Sequence, residues 1–269
     1  MSDPGRGRRE GLAPLLAASL PLALFTALPL LALALRPDPA HWLAQLGSEA
    51  ARRALALTLI TSTVSTLLCI ALGLPVAYLL ARYRFRGRAA LDVLVDLPIA
   101  IPPVVAGLAL LLAFGREGWF GRFLAPAGVR LPFTTAAVVL AQVTIAAPFF
   151  VRAARAGFES VDVRLEQAAW TLGAGRWRAF WTVAVPLARP SLIAGALLAW
   201  ARALSEFGAT MMFAGNLPGK TQTLALAVMS LMESDIDTAL AVSALSLLLA
   251  LVALTAARLV ARSWRGTGP

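Results

Sequence analysis

Charge, cysteine and histidine are all scarce in this 269-residue chain. Only 14% of its residues are charged, against roughly 25% in an ordinary soluble domain. The single cysteine, Cys69, sits inside an apolar block, so neither a disulfide framework nor a cysteine-based zinc site can be built. The single histidine, His41, falls in a loop and is given no role. These shortages work against enzymatic chemistry. An intramembrane enzyme would need facing aspartates, a Ser–His set or a group of metal ligands, and none of these converges here. No catalytic residue and no metal ligand is expected, and an intramembrane enzyme is the alternative of another class. The formal net charge of +10 could suggest nucleic acid, but the basic residues are scattered between apolar blocks with no aromatic-basic face, so no nucleic-acid partner is expected.

Apolar residues are what the chain has in abundance: 59% of the total, with a mean hydropathy of +0.77. They fall in six blocks, near 12–35, 54–81, 91–114, 133–151, 191–213 and 238–260, each close to the ~20 helical residues that cross a bilayer. The first follows Arg6, Arg8 and Arg9 and contains an Ala-Leu-Ala stretch at 32–34 that looks like a cleavage site. It is too long for a signal-peptide core of about 7–15 residues and is read as an uncleaved first span. With the N-terminus inside, 16 of the 24 Arg and Lys residues fall in inner segments and 7 in outer ones, with Arg202 inside a span. That asymmetry places both termini in the cytoplasm. The division expected is a tail at 1–11, a six-span domain at 12–262 with a long inner loop at 152–190, and a tail at 263–269.

The stretch AGNLPGKTQT at 214–223 ends in Gly-Lys-Thr, as a phosphate-binding loop does. The spacing is short by one residue between Gly215 and Gly219, and Ala214 stands where a glycine belongs. It also follows a membrane helix rather than a buried strand, and faces outward by the charge asymmetry. Pro218 and Gly219 make a turn. No nucleotide is expected to bind there, so any ATP belongs to a partner.

The inner loop carries the most information. Apolar residues recur at helical spacing from Val161 through Leu165 to Leu172, among Glu159, Asp162 and Glu166, which is folded helix rather than linker. Ala168 and Ala169 leave a flat face that can enter a groove, and Gly173 allows the chain to reverse. Pro186 and Pro190 stand just ahead of the next span, where a helix start tolerates them. The whole run, LEQAAWTLGAGRWRAFWTVAVPLARPSLIAG at 165–195, resembles the signature loop of ABC importer permeases: Glu-Ala-Ala, three residues, Gly, nine residues, then an apolar segment ending in Pro. Gln167, Ala168 and Ala169 occupy the first three places, Gly173 the glycine, and Val183, Val185 and Pro186 the end. Gln167 is a departure from the motif's glutamate, although Glu166 stands beside it. The resemblance implies that Glu166, Gln167, Ala168, Ala169, Leu172, Gly173, Ala174 and Pro186 engage a cytoplasmic ATPase.

Two further stretches, LPIAIPPVVAGLALLLAFGREGWFG at 97–121 and ARALSEFGATMMFAGN at 201–216, are similar to molybdate-type permeases, with Ser205 where glycine is usual. Tungstate and sulfate or thiosulfate permeases are the alternatives within the family. Read as residues alone, Pro102 and Pro103 interrupt the third span, and such breaks persist in membranes where protein or water satisfies the backbone. Asp92 and Asp96 at its inner end are expected to stay hydrated or to pair with the arginines at 82–88. Arg202 and Glu206 are four apart and share a helix face. A span starting near Ser191 puts Arg202 about 16 Å up the helix, near mid-bilayer, either as a structural ion pair or as part of an anion route. Gly208, Thr210 and Asn216 add a small polar surface near the outer mouth, suited to close helix approach or a gate, and with Arg202, Glu206, Pro102 and Pro103 they are the candidate pathway or gate residues.

The expectation is therefore an all-α integral membrane protein with six transmembrane helices, an ABC importer permease (MetI-like) fold with a cytoplasmic coupling helix. The resemblance implies a homodimer in the membrane lipid, two cytoplasmic ATPase subunits that carry ATP and magnesium, and an external oxyanion-binding protein. No cofactor is assigned to this chain itself. A passive channel would leave the patterned inner loop unexplained.

Overall fold

The structure, a computed structural model, describes residues 12–36 and 47–263. The expectations for the two tails, for Arg6, Arg8 and Arg9, and for His41 lie outside the described residues. Everything regular among them is helical. Five helices are long and apolar enough to cross a membrane, or six if the one bent pair counts as a single span.

Helix α1, Leu12–Leu35, matches its apolar block end to end. Its apolar surface is almost wholly uncovered by the rest of the chain. Helix α2 runs over Glu49–Arg82, longer than the 54–81 expected. The added turns are polar: Ser48 accepts from the Ala51 N–H at 3.3 Å, with Glu49 in the first turn and Arg82 in the last. Both charges suit the helix dipole. One face of α2 carries small residues, among them Ser65, Cys69, Gly73 and Ala77. A Cβ on Gly73 would come within 2.9 Å of the Phe150 ring, so this face takes α5, Thr135–Ser160, at close range.

The third block is two helices rather than one kinked span. Helix α3, Arg88–Ala100, and α4, Pro103–Phe114, meet at 117°. Pro102 and Pro103 lack N–H groups, and a residue before proline is driven out of the helical region. Ile101 accordingly lies at ψ 147° and Pro102 at ψ 134°.

Helix α5 continues past its predicted end at 151 because nothing breaks it: Arg152 and Arg155 stay helical by pairing with acids alongside. The predicted loop at 152–190 is therefore much shorter. It holds α6, Val163–Thr171, and then α7 begins fifteen residues ahead of the predicted Ser191, spanning Arg176–Leu204. Pro186 does not start that helix but lies inside it. The turn before it widens to a π-helix at Phe180–Ala184, with the Val185 N–H bonded to the Phe180 carbonyl. A widened turn relieves the clash between a proline ring and the carbonyl four residues earlier.

The fifth block is also broken. Helix α7 stops at Leu204, and a separate helix α8 covers Gly208–Ala214. Helix α9, Leu224–Ser234, has no counterpart among the predicted spans, since its 11 residues are too few to cross. Its first N–H donates to Thr58 Oγ1 on α2 at 2.8 Å. Helix α10, Ile236–Ser263, closes the bundle. The core sits where α2, α5 and α7 pack together.

Candidate functional site

Two places gather the residues singled out in the sequence. The first is the arginine-rich end of the bundle, where α6 projects. Asp162 starts α6 by accepting from the Arg164 N–H at 2.9 Å. Its end is a Schellman turn: the Gly173 N–H donates to the Trp170 carbonyl and the Ala174 N–H to the Ala169 carbonyl, both at 3.0 Å. Gly173 adopts φ +86°, with open space where a Cβ would stand. The glycine is needed for its backbone conformation alone.

Helix α6 has two distinct sides. Gln167, Ala168 and Gly173 are exposed, Ala169 and Ala174 are half-buried, and Leu172 is 88% exposed. Val163, Leu165 and Trp177 add further uncovered apolar surface nearby, the kind of patch that marks a protein contact. Pro186 is exposed on α7, one helix beyond the knob. Glu166 faces the other way and is only 1% exposed, so it cannot touch a docking partner. Its carboxylate accepts from Arg82 Nε at 2.8 Å and from the Tyr78 hydroxyl. Arg82 also donates to the Val161 carbonyl at 2.9 Å. Tyr78 and Arg82 were missed as site residues, although an i, i+4 pair at the end of an apolar helix was a readable signal.

Asp92 and Asp96 do not pair with the arginines at 82–88. Arg82 is held by Glu166, and Arg88 donates to the Leu80 carbonyl. The two aspartates instead meet α5, with Asp96 2.7 Å from Arg152 and Asp92 2.6 Å from Arg155. These pairs are largely solvent-facing, which limits their contribution to stability.

The second place is where the two broken helices touch. A Cβ on Gly208 would stand 3.1 Å from Pro103 Cβ, and one on Gly107 only 2.6 Å from the Ala209 carbonyl oxygen. Glycine at both positions lets α4 and α8 lie backbone to backbone. Pro102 is exposed beside this contact. Arg202 and Glu206 pair at 2.7 Å, without the N–H alignment of a full hydrogen bond. The other Glu206 oxygen accepts from the Ala209 N–H at 2.8 Å, so one carboxylate joins the end of α7 to the start of α8.

The depth of Arg202 follows from packing rather than from a helix start at Ser191. A Cβ on Gly157 would meet Ser191, and one on Gly195 would meet Ala153. That antiparallel register, continued, brings Arg202 level with Ala146, near the middle of α5. Thr210 is buried with its hydroxyl unpartnered. Asn216 turns its amide to Ser230 Oγ on α9 at 2.7 Å. The structure therefore unites Arg202, Glu206, Gly208 and Pro103 at one junction and leaves Asn216 in a different one.

In the 214–223 stretch, the N–H groups of Lys220, Thr221 and Gln222 all bond to the Leu217 carbonyl. Backbone donors that would wrap a phosphate are turned inward. Among the described residues, no group of three or more His, Cys, Asp or Glu side chains could hold a metal.

Comparison with known proteins agrees with this architecture. Residues 70–266 match the family described as the binding-protein-dependent transport system inner membrane component. The molybdenum transport system permease protein ModB of Mycobacterium bovis is 44% identical over 229 residues, covering 85% of this chain and 86% of that protein. The sulfate transport system permease protein CysW of Synechococcus elongatus is 39% identical over 68% of this chain and 64% of its own length. Among solved structures, a bacterial ABC transporter that imports the acidic polysaccharide alginate superposes with a TM-score of 0.73 at 19% identity, covering 96% of both chains, which is a likeness of fold. With a matched helical core, the signature loop folded as a projecting knob, and relatives named as permeases over most of its length, the chain belongs to the family of binding-protein-dependent transport system inner membrane components.

Proposed function

We propose that this chain is the permease subunit of an ATP-driven importer that moves a tetrahedral oxyanion, molybdate first, across the cytoplasmic membrane. The observation that carries the reading is the 44% identity to a molybdenum permease over 85% of the chain. The exposed knob of α6 supports it, because such a knob gives a peripheral motor something to grip. The arginine asymmetry supports an orientation with both termini and α6 in the cytoplasm. Two copies of the chain pair in the lipid, two ATPase subunits that carry ATP and magnesium dock on the paired knobs, and an external binding protein delivers the anion. Closure of the ATPase pair pulls α6, and the bundle rocks from inward-open to outward-open. Hydrolysis resets it.

At the junction of broken helices, Glu206 neutralises Arg202 at mid-depth. A bare cation there would trap a dianion, whereas a paired one lowers the barrier without holding the cargo. Reconstitution with the ATPase and the binding protein tests the proposal. Molybdate should stimulate ATP hydrolysis and enter the vesicles, with sulfate and tungstate weaker. Equal or stronger stimulation by sulfate would reassign the cargo within the family, and hydrolysis indifferent to all three would overturn the oxyanion reading.

A further inference from the structure

We infer that Glu166, Arg82 and Tyr78 form a positioning tie that makes α6 and the arginine-rich end of α2 move as one body, so that a pull on the exposed face of α6 is delivered to α2. The inference rests on the proposed reading of α6 as the docking point of an ATPase.

Backbone links alone would deliver that pull poorly. Helix α6 is joined to α5 through the extended residues Val161 and Asp162, and to α7 through Gly173, at φ +86°, and Gly175. Both are places where the chain changes direction. The side chains of α2 bridge the gap. One guanidinium, that of Arg82, holds the Glu166 carboxylate inside α6 and the Val161 carbonyl at the hinge before it. Tyr78, one turn earlier, holds the second carboxylate oxygen. Its ring is packed edge-on by Phe158 of α5 and Phe180 of α7, with centroids at 5.2 and 4.7 Å.

The side chains of Glu166 and Arg82 are 1% and 11% exposed. A buried ion pair adds little net stability over an apolar substitute, and its best-attested use is to fix one geometry among several. Helix α2 is 34 residues long in all and stays helical through Pro75, which lies just beyond the tie. Near its far end Thr58 accepts the first N–H of α9. Motion imposed on the tie therefore has a single helix through which to reach the opposite side of the bundle. The exposed face and the buried tie divide the work: Ala168 and Leu172 are gripped, and Glu166 transmits.

The measurement is the molybdate transported per ATP hydrolysed in complexes reconstituted with the ATPase and the binding protein. Glu166→Gln is expected to lower that ratio about tenfold, in the range seen for residues that carry coupling. Tyr78→Phe should lower it less, and Arg82→Lys, which keeps the charge, should restore most of it. A merely structural role would lower the yield of complex and leave the ratio unchanged, and an unchanged ratio overturns the inference. Should the variants fail to assemble, spin labels on Thr171→Cys in α6 and Leu72→Cys in α2 of one otherwise unsubstituted protomer decide the matter. One rigid body requires the same distance with and without nucleotide, and a distance that changes overturns the inference. The two readings fail differently: a wild-type chain that does not assemble with an ATPase defeats the docking proposal, whereas an intact, coupled complex with wild-type ratios in the variants defeats the tie alone.

Discussion

Two buried carboxylates organise the two ends of the working surface, and they do it by different means. Glu206 pairs with Arg202 four residues earlier and caps α8 three residues later. Its whole environment is local. Glu166 pairs with residues 84 and 88 positions away, and its environment exists only when α2 and α6 are folded together. A local pair can bridge a break within one stretch of chain. A distant pair can join two elements that the backbone leaves loosely connected. The difference explains why a transporter would place the first at a helix break and the second at a knob.

That contrast can be broken by substitution, and the largest stability loss is expected at the distant pair. Arg82→Ala leaves a carboxylate buried and unpaired, at a cost of about 3–5 kcal/mol, measurable as a lower midpoint in denaturant unfolding from detergent micelles. Glu206→Ala is expected to cost less, about 2–3 kcal/mol, because the Arg202 side chain left behind is 24% exposed rather than fully buried, while the α8 cap is lost as well. In the same assay, Glu206→Gln should recover part of this by still accepting from Ala209. A loss at Glu206 equal to that at Arg82 would erase the distinction between the two sites.

Backbone contacts give smaller effects. Gly107→Ala drives a Cβ towards the Ala209 carbonyl and should cost about 1–3 kcal/mol, with a matching fall in transport as α4 and α8 separate. Gly173→Ala meets no atom, so only the left-handed backbone is penalised, at about 1–2 kcal/mol. Circular dichroism and thermal unfolding should show the fold retained. Ala168→Trp lies last on this scale. It sits on exposed surface, with an expected stability change within about 0.5 kcal/mol, yet it should abolish co-purification with the ATPase. Retained co-purification would remove Ala168 from the docking face.

Much of the architecture was visible in composition. The first apolar block equals α1, and the others locate the crossings to within the length of a few turns. The Schellman turn at Gly173 was legible because one glycine after a short amphipathic helix has few other uses. Other features were not legible, for identifiable reasons. Pro102 and Pro103 announced a break, but a 117° bend between α3 and α4 depends on Gly107 and Gly208 allowing α4 to lie against α8. Pro186 looked like a helix start because a widened π turn that shelters a proline leaves no mark in the sequence. The break at 205–207 has no proline or glycine of its own, and only Gly208 follows it. Asp92 and Asp96 were expected to stay hydrated or to pair with the nearest arginines along the chain; they do stay partly exposed, but their partners are set by the side-by-side packing of α3 and α5.

From its order of residues alone, this protein was committed to a helical membrane bundle with one strongly basic side and a capped helix between its fourth and fifth apolar blocks. Hydropathy, charge asymmetry and turn chemistry act over one helix length or less, so they can be read in a line. Which way Glu166 points, what holds it, and that α7 stops at Leu204 level with the middle of α5 were settled only by packing, because each depends on residues brought together from distant parts of the chain.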